Sequence, residues 1–174
     1  MDTHGYTMVS TVDPQAFRDT LGRFASGVTI ITTVSEGEVH GMTANAFVSV
    51  SLNPPLVLVS VDNRAKMFEL LGEGSRYGVS ILSSEQEIFS NHFAGWEQAV
   101  EPEFVWQLET PLLKGAVAHL VADVKDVHPA GDHTLFVGEV QFLEAFDEEP
   151  LLYFTGKYGR LRLPTIHPKE TNDG

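Results

Sequence analysis

Strand-like runs follow one another along this chain with little helix between them, and that order most restricts the possible fold. Val28-Thr29-Ile30-Ile31-Thr32-Thr33-Val34 is β-branched throughout, Ser35-Glu36-Gly37-Glu38 breaks it, and Val39 opens a second extended run, which reads as a β-hairpin. Residues 42–52 alternate polar and apolar side chains in their C-terminal half, as a strand with one wet and one dry face does. Asn53-Pro54-Pro55 then turns the chain into an apolar strand over 56–61, and a further strand is expected over 77–82. Two long extended stretches, 116–127 and 134–145, close the domain through the turn Pro129-Ala130-Gly131-Asp132. The reading totals about six extended segments and three helices, a mainly β domain with flanking helices that favours an antiparallel barrel over a doubly wound sheet.

The helices have their own signals. Asp13 is placed to cap, Pro14 suits a first turn, and Gly27 ends a helix expected over 14–26. Phe17, Leu21 and Phe24 form one apolar stripe on it, predicted to face the core. A short helix is expected over 65–71. Ser84 with Glu87 three residues later has the form of a capping box, opening a helix to about Phe93. Residues 95–111 read as an irregular acidic and aromatic excursion.

Composition narrows the function classes. A length of 174 residues with 43% apolar side chains suits one domain, expected over 13–163, with tails at 1–12 and 164–174. Segment 1–12 lacks the basic and apolar regions of a signal peptide, and the longest apolar-rich stretch, 54–61, is far short of the roughly 20 residues of a membrane span. With no cysteine there is no disulfide, zinc knuckle or thiolate nucleophile, and a cytoplasmic location is expected. The net charge of −13 argues against binding along a nucleic acid backbone and obliges any anionic ligand to find a local basic pocket.

Common catalytic signatures are missing: Gly72, Gly74 and Gly78 miss the GxGxxG spacing, and there is no P-loop, G-x-S-x-G or H-E-x-x-H. His128 and His133 flank Asp132, but no regular ligand spacing on one element supports a metal, so exposed turn residues are the better reading. Thr43, Asn45, Ser49 and Ser51 place four small hydrogen-bonding side chains in one extended stretch, which suits either a planar polar ligand or contact with water. Arg64 and Lys66 stand together at the start of a short helix, and Lys157, Arg160 and Arg162 form a second basic group. These five of the eleven basic residues suit either an anionic cofactor or ordinary surface ion pairs.

Several stretches, in this order and spacing, resemble the flavin reductase-like proteins with the FMN-binding split-barrel fold, including reductase components of two-component flavin-dependent monooxygenases. They are Phe24-Ala25-Ser26-Gly27-Val28-Thr29, Gly41-Met42-Thr43-Ala44-Asn45-Ala46-Phe47, Ser49-Val50-Ser51-Leu52-Asn53-Pro54-Pro55, Gly131-Asp132-His133-Thr134-Leu135-Phe136 and Pro150-Leu151-Leu152-Tyr153-Phe154. The resemblance, covering about 17–161, implies a six-stranded antiparallel Greek-key split barrel, a homodimer with flavin near the subunit interface, and reduction of FMN or FAD by NADH or NADPH. It implies that reduced flavin diffuses to a partner monooxygenase. By position, Thr43, Ala44 and Asn45 match the segment at the isoalloxazine edge, and Ser49, Val50 and Ser51 the strand beneath it. Ser60, Asn63, Arg64 and Lys66 match the ribityl and phosphate grip, His133 the histidine facing the nicotinamide, and Tyr153, Tyr158 and Arg160 a C-terminal lid, Arg160 as a phosphate ligand. Ala65 and Met67 stand where many relatives carry hydroxyl side chains, so the grip would lean on Arg64, Lys66 and backbone N–H groups. A flavin-binding electron carrier without nicotinamide turnover is the alternative, and a haem or pyridoxal-phosphate protein of the same fold a more distant one.

Overall fold

The computed structural model describes residues 12–162; the expected tails lie outside them except for Val12. The hairpin of β2 (Thr29–Ser35) and β3 (Glu38–Ala44) forms as the β-branched run predicts. Its turn is Glu36-Gly37, both at positive φ, where glycine carries no steric cost. The expected single stretch over 42–52 is instead two strands, β3 and β4 (Phe47–Leu52), broken at Asn45-Ala46. After the cis peptide Asn53-Pro54, β5 (Pro55–Asp62) pairs back on β4. Helix α2 (Lys66–Leu70) leads to β6 (Arg76–Ile81). The long hairpin of β9 (Ala118–Ala130) and β10 (His133–Ala145) turns at Gly131-Asp132, so the strands run further into the turn than the sequence suggests.

These strands make one antiparallel sheet in the order β3-β2-β6-β9-β10-β5-β4. It has seven strands where six are expected, because the break at Asn45-Ala46 makes two strands of one. Successive residues of a strand face opposite sides, and β2 buries both. Ile31 enters the main core with Val59, Val61, Tyr77, Val79 and Phe136. Ile30 enters a second core with Val28, Leu82, Leu113 and Leu151. Burial on two faces explains why this run is apolar or β-branched throughout.

The second core is roofed by a small sheet that the sequence hides and by the helix expected to end near Phe93. A small sheet β1-β11-β12 joins Ser26–Gly27 near the N-terminus to β11 (Leu151–Phe154) and β12 (Lys157–Arg160). Helix α3 (Glu87–Phe93) lies across β3, where Gly41 allows the approach: a Cβ there would stand 2.5 Å from the Phe93 ring. The capping box does not form. Gln86 occupies the cap position, its side chain accepting from the Ser83 N–H at 3.1 Å and donating to the Lys114 carbonyl at 2.8 Å, a tertiary tie that overrides the local motif. Residues 95–111 are not wholly irregular either, since β7 (Phe104–Gln107) pairs with β8 (Thr110–Leu113).

Helix α1 (Pro14–Leu21) is capped by Asp13 as expected but ends at Gly22, not near Gly27, because Ser26–Gly27 is drawn into the small sheet. Its stripe does not face this chain's core: Phe17 is 57% exposed, Leu21 53% and Phe24 80%. The presumed dry face of β4 is open too, with Val48, Val50 and Leu52 all exposed. Two apolar faces built for burial thus remain uncovered by the chain itself.

Candidate flavin and dinucleotide site

The break between β3 and β4 sits beside the small sheet, and two adjoining cavities open there. The smaller, about 270 Å³, is lined by Thr43, Asn45, Ser90, Asn91, Tyr153 and Tyr158, with Trp96 at its side. The larger, about 900 Å³, is lined by α1 and its following turn, by Asn45, His133 and Tyr153, and by the β11–β12 turn. Asn45, Tyr153 and Gly156 line both, so the two are continuous in their lining.

Hydrogen bonds hold the smaller cavity's walls. Thr43 Oγ1 donates to the Ser90 carbonyl at 2.6 Å, tying β3 to α3. The Tyr158 hydroxyl lies 2.8 Å from Ser90 Oγ and donates to Asn91 Oδ1 at 3.1 Å, tying the C-terminal hairpin to the same helix. One hydroxyl donates once, so Tyr158 accepts from Ser90. Tyr153 packs edge-on against Tyr158 with ring centroids 5.4 Å apart. The donor set fits a flat, polar-edged ring: hydroxyl and amide groups lie beside aromatic faces.

The structure divides the residues nominated by sequence. Thr43, Asn45, Tyr153 and Tyr158 meet in the smaller cavity, and His133 joins Asn45 and Tyr153 in the larger. Ala44 faces the main core; its carbonyl accepts from Thr29 Oγ1 at 2.6 Å. Ser49, Val50 and Ser51 lie on the edge strand β4, with a bulge at Val50, and line neither cavity. The Ser60 N–H donates to the Ala46 carbonyl at 3.1 Å, anchoring the chain just after Asn45 to β5.

Beyond β5 the chain turns beside His133. Asp62 faces His133 across the β5–β10 ladder, and Asn63 Oδ1 accepts from Thr134 Oγ1 at 2.8 Å. Arg64, 86% exposed, forks onto Asp62 with Nη2–Oδ2 at 2.6 Å and Nε–Oδ1 at 3.0 Å. That guanidinium, with the Arg64 backbone N–H, holds the Asp62 carboxyl far below the usual carboxylate range. Lys66 pairs with Glu69 at 2.8 Å, and Arg160 pairs with Glu85 at 2.8 Å on the outer strand of the small sheet. Arg64, Lys66 and Arg160 thus each have a carboxylate partner, whereas Lys157 and Arg162 form no ion pair among the described residues, and Arg160 stands apart from Arg64 and Lys66, lining neither cavity.

Ser90, Asn91 and Trp96, in the stretch 77–113 that holds no Lys or Arg, also line the smaller cavity, and Arg18, Arg23 and Phe24, from the helix expected to face the core, line the larger; none was nominated as a ligand residue. A further cavity of about 660 Å³, lined by Thr33, Glu73, Arg76 and Asp123 among others, lies at the opposite end of β2 and contains none of the nominated residues.

Comparison with known proteins assigns the chain to a family. A family model described as a flavin reductase like domain matches residues 21–162. This chain belongs to that family. It is 54% identical over 158 residues to an NADH-dependent flavin reductase of a Rhodococcus species, covering 87% of this chain and 89% of the relative. It is 42% identical over 152 residues to the reductase component of 4-hydroxyphenylacetate 3-monooxygenase from Thermus thermophilus, covering 87% and 99%. Among solved structures, flavin reductase PheA2 in its native state superposes with a TM-score of 0.85 at 48% identity, covering 87% of this flavin reductase-like chain and 100% of that one. Its fold is accordingly mainly β, antiparallel, with few helices.

Proposed function

We propose that this chain is an NADH-dependent flavin reductase that reduces FMN or FAD and supplies the product to a flavin-dependent monooxygenase. The observation that carries the reading is the pair of joined cavities around Asn45 and Tyr153, one ring-sized and polar-edged, the other roomy and bordered by His133. Near-full-length similarity to an NADH-dependent flavin reductase and to a monooxygenase reductase component supports the choice of reaction and partner.

A bound flavin supplies the hydride-accepting chemistry, so the protein's work is positioning. Thr43, Asn45 and Asn91 would hold the ring edge, and Tyr153 and Tyr158 would cover a face. The Asn63 side-chain amide would serve the ribityl and phosphate end, with Arg64 and Lys66 available once they leave their exposed carboxylate partners, whereas the Asn63, Arg64 and Ala65 N–H groups are already bonded to Asp132 and Asp62. His133 would border the nicotinamide. Ser49, Val50 and Ser51 reach a flavin only from across a subunit interface, and the uncovered apolar face of β4 suits a homodimer. Among the described residues no helix is long and apolar enough to cross a membrane.

Purified protein assayed with FMN and FAD against NADH and NADPH, following loss of the reduced nicotinamide, tests the reading. Turnover with NADH is expected; no oxidation of either nicotinamide with either flavin would overturn it.

A further inference from the structure

The larger cavity carries a feature that the nominated phosphate grip lacks. Arg18 and Arg23 both line it, one from α1 and one from the turn that follows. Among the described residues neither forms an ion pair. Arg18 Nη2 donates at 3.2 Å to Gln15 Oε1, a neutral amide that leaves its charge uncompensated. Arg64, Arg76, Arg160, Lys66, Lys114 and Lys125 are each paired with a carboxylate, and Lys157 and Arg162, which form no ion pair among the described residues, line neither cavity. The same wall contains Phe17, Leu21 and Phe24, all exposed, with Tyr153 and His133 also lining the cavity. One carboxylate, Asp19, lines it too, and accepts from Gln15 Nε2 at 2.8 Å.

Two uncompensated guanidinium groups beside an aromatic wall match the chemistry of a dinucleotide: a planar forked donor for each phosphate, and apolar surface for a base. On a chain of net charge −13, uncompensated cations are where an anion is drawn in. We infer that Arg18 and Arg23 bind the pyrophosphate of a dinucleotide in the cavity between α1 and the β11–β12 turn. The inference rests on the flavin reductase reading for its ligand class and deepens it. The pyrophosphate belongs to NADH or to FAD, and the two sources separate by experiment. The cavity's volume of about 900 Å³ lies within the usual range for ligand sites.

The test uses Arg18→Gln, Arg23→Gln and the double variant, with Arg18→Lys as a charge-retaining control. Both arginines are exposed, so all four proteins should keep the wild-type melting temperature. Calorimetric titration with ADP, and with adenosine as the phosphate-free probe, reads the site without turnover. Each Gln variant should weaken ADP binding by about tenfold and leave adenosine binding unchanged. In steady state, a raised KM for NADH with unchanged KM for reduced nicotinamide mononucleotide assigns the pyrophosphate to NADH. A raised KM for FAD with unchanged KM for FMN assigns it to FAD. ADP affinity and both dinucleotide KM values within twofold of wild type in the double variant would overturn the inference. Wild-type protein that binds ADP through the arginines yet oxidises no nicotinamide would overturn the reductase reading instead.

Discussion

His133 Nδ1 lies 2.7 Å from Asp132 Oδ1, the carboxylate of the residue just before it in the β9–β10 turn. The contact fixes the imidazole by its Nδ1 edge and leaves Nε2 for a ligand, while the imidazole in turn holds the Asp132 carboxyl below its ordinary range. On the proposed placement, with His133 bordering the nicotinamide in the larger cavity, its side chain serves nicotinamide binding more than flavin binding. His133→Ala should raise KM for NADH severalfold and change flavin affinity by less than about twofold, since one lost hydrogen bond is about 1 kcal/mol. Flavin titration and steady-state kinetics on one preparation check this; equal losses of both would count against the placement.

Arg76 gives a pH-dependent contribution to stability. Its guanidinium bonds Asp123 Oδ1 at 2.7 Å and Oδ2 at 3.2 Å, and donates to the Leu108 carbonyl at 3.1 Å, stapling the tip of the β7–β8 hairpin to β6 and β9. The Asp123 carboxyl is held below its ordinary value of 3.8 by that bond. The folded protein therefore binds this proton less readily than the unfolded chain, so the stabilisation is complete above the ordinary value and lost as pH falls below it. Asp123→Asn should cost about 1 kcal/mol at neutral pH, a partly exposed pair contributing no more, and the gap should close in strong acid. Urea titrations across pH report it, and a gap that persists unchanged into acid refutes the assignment.

Gly138 is required by its neighbour. A Cβ there would stand 2.9 Å from Tyr77 Cζ and closer still to the buried hydroxyl, which has no hydrogen-bond partner among the described residues. Burial alone pushes the Tyr77 hydroxyl pKa well up. Gly138→Ala should destabilise the protein by about 1–3 kcal/mol through overpacking. Adding Tyr77→Phe removes the hydroxyl from the clash without losing a bond, and should recover part of the loss. Thermal melts of the three variants decide it: no recovery in the double variant would mean that the hydroxyl is not the obstacle.

What the sequence made legible follows from how local each feature is. The β2–β3 hairpin is written in a β-branched run and a Glu36-Gly37 turn, and β9–β10 in two long extended stretches, so both appear as expected. The small sheet is not visible, because Ser26–Gly27 and Leu151–Phe154 come from opposite ends of the chain and each is short. Apolar stripes on α1 and β4 report that a face is meant for burial, not which surface buries it. Arg64 and Lys66 were conspicuous as cations, yet Asp62 and Glu69, two and three residues away, were equally visible as their partners. Thr43 and Asn45 were legible because hydroxyl and amide groups exceed what packing needs. Ser90 was not, since its role depends on Tyr158 far along the chain.

Ser90 is fully buried, and its hydroxyl pairs with Tyr158 at 2.8 Å. Tyr158→Phe strands the Ser90 hydroxyl and removes the 3.1 Å bond to Asn91, so it should cost about 1–3 kcal/mol, the penalty for an unsatisfied buried group. Ser90→Ala removes the stranded partner, so adding it to Tyr158→Phe should cost less than its effect in the wild type. The Thr43 bond is made to the Ser90 backbone carbonyl and survives both changes, which leaves the β3 side of the cavity in place. Loss of the Tyr158 tie frees the C-terminal hairpin from α3, and flavin affinity should fall with stability in Tyr158→Phe. Urea denaturation of the four proteins gives the coupling energy directly. Strictly additive costs would show that the two hydroxyls do not act as a pair, and unchanged flavin affinity that the hairpin's attachment to α3 does not shape the cavity.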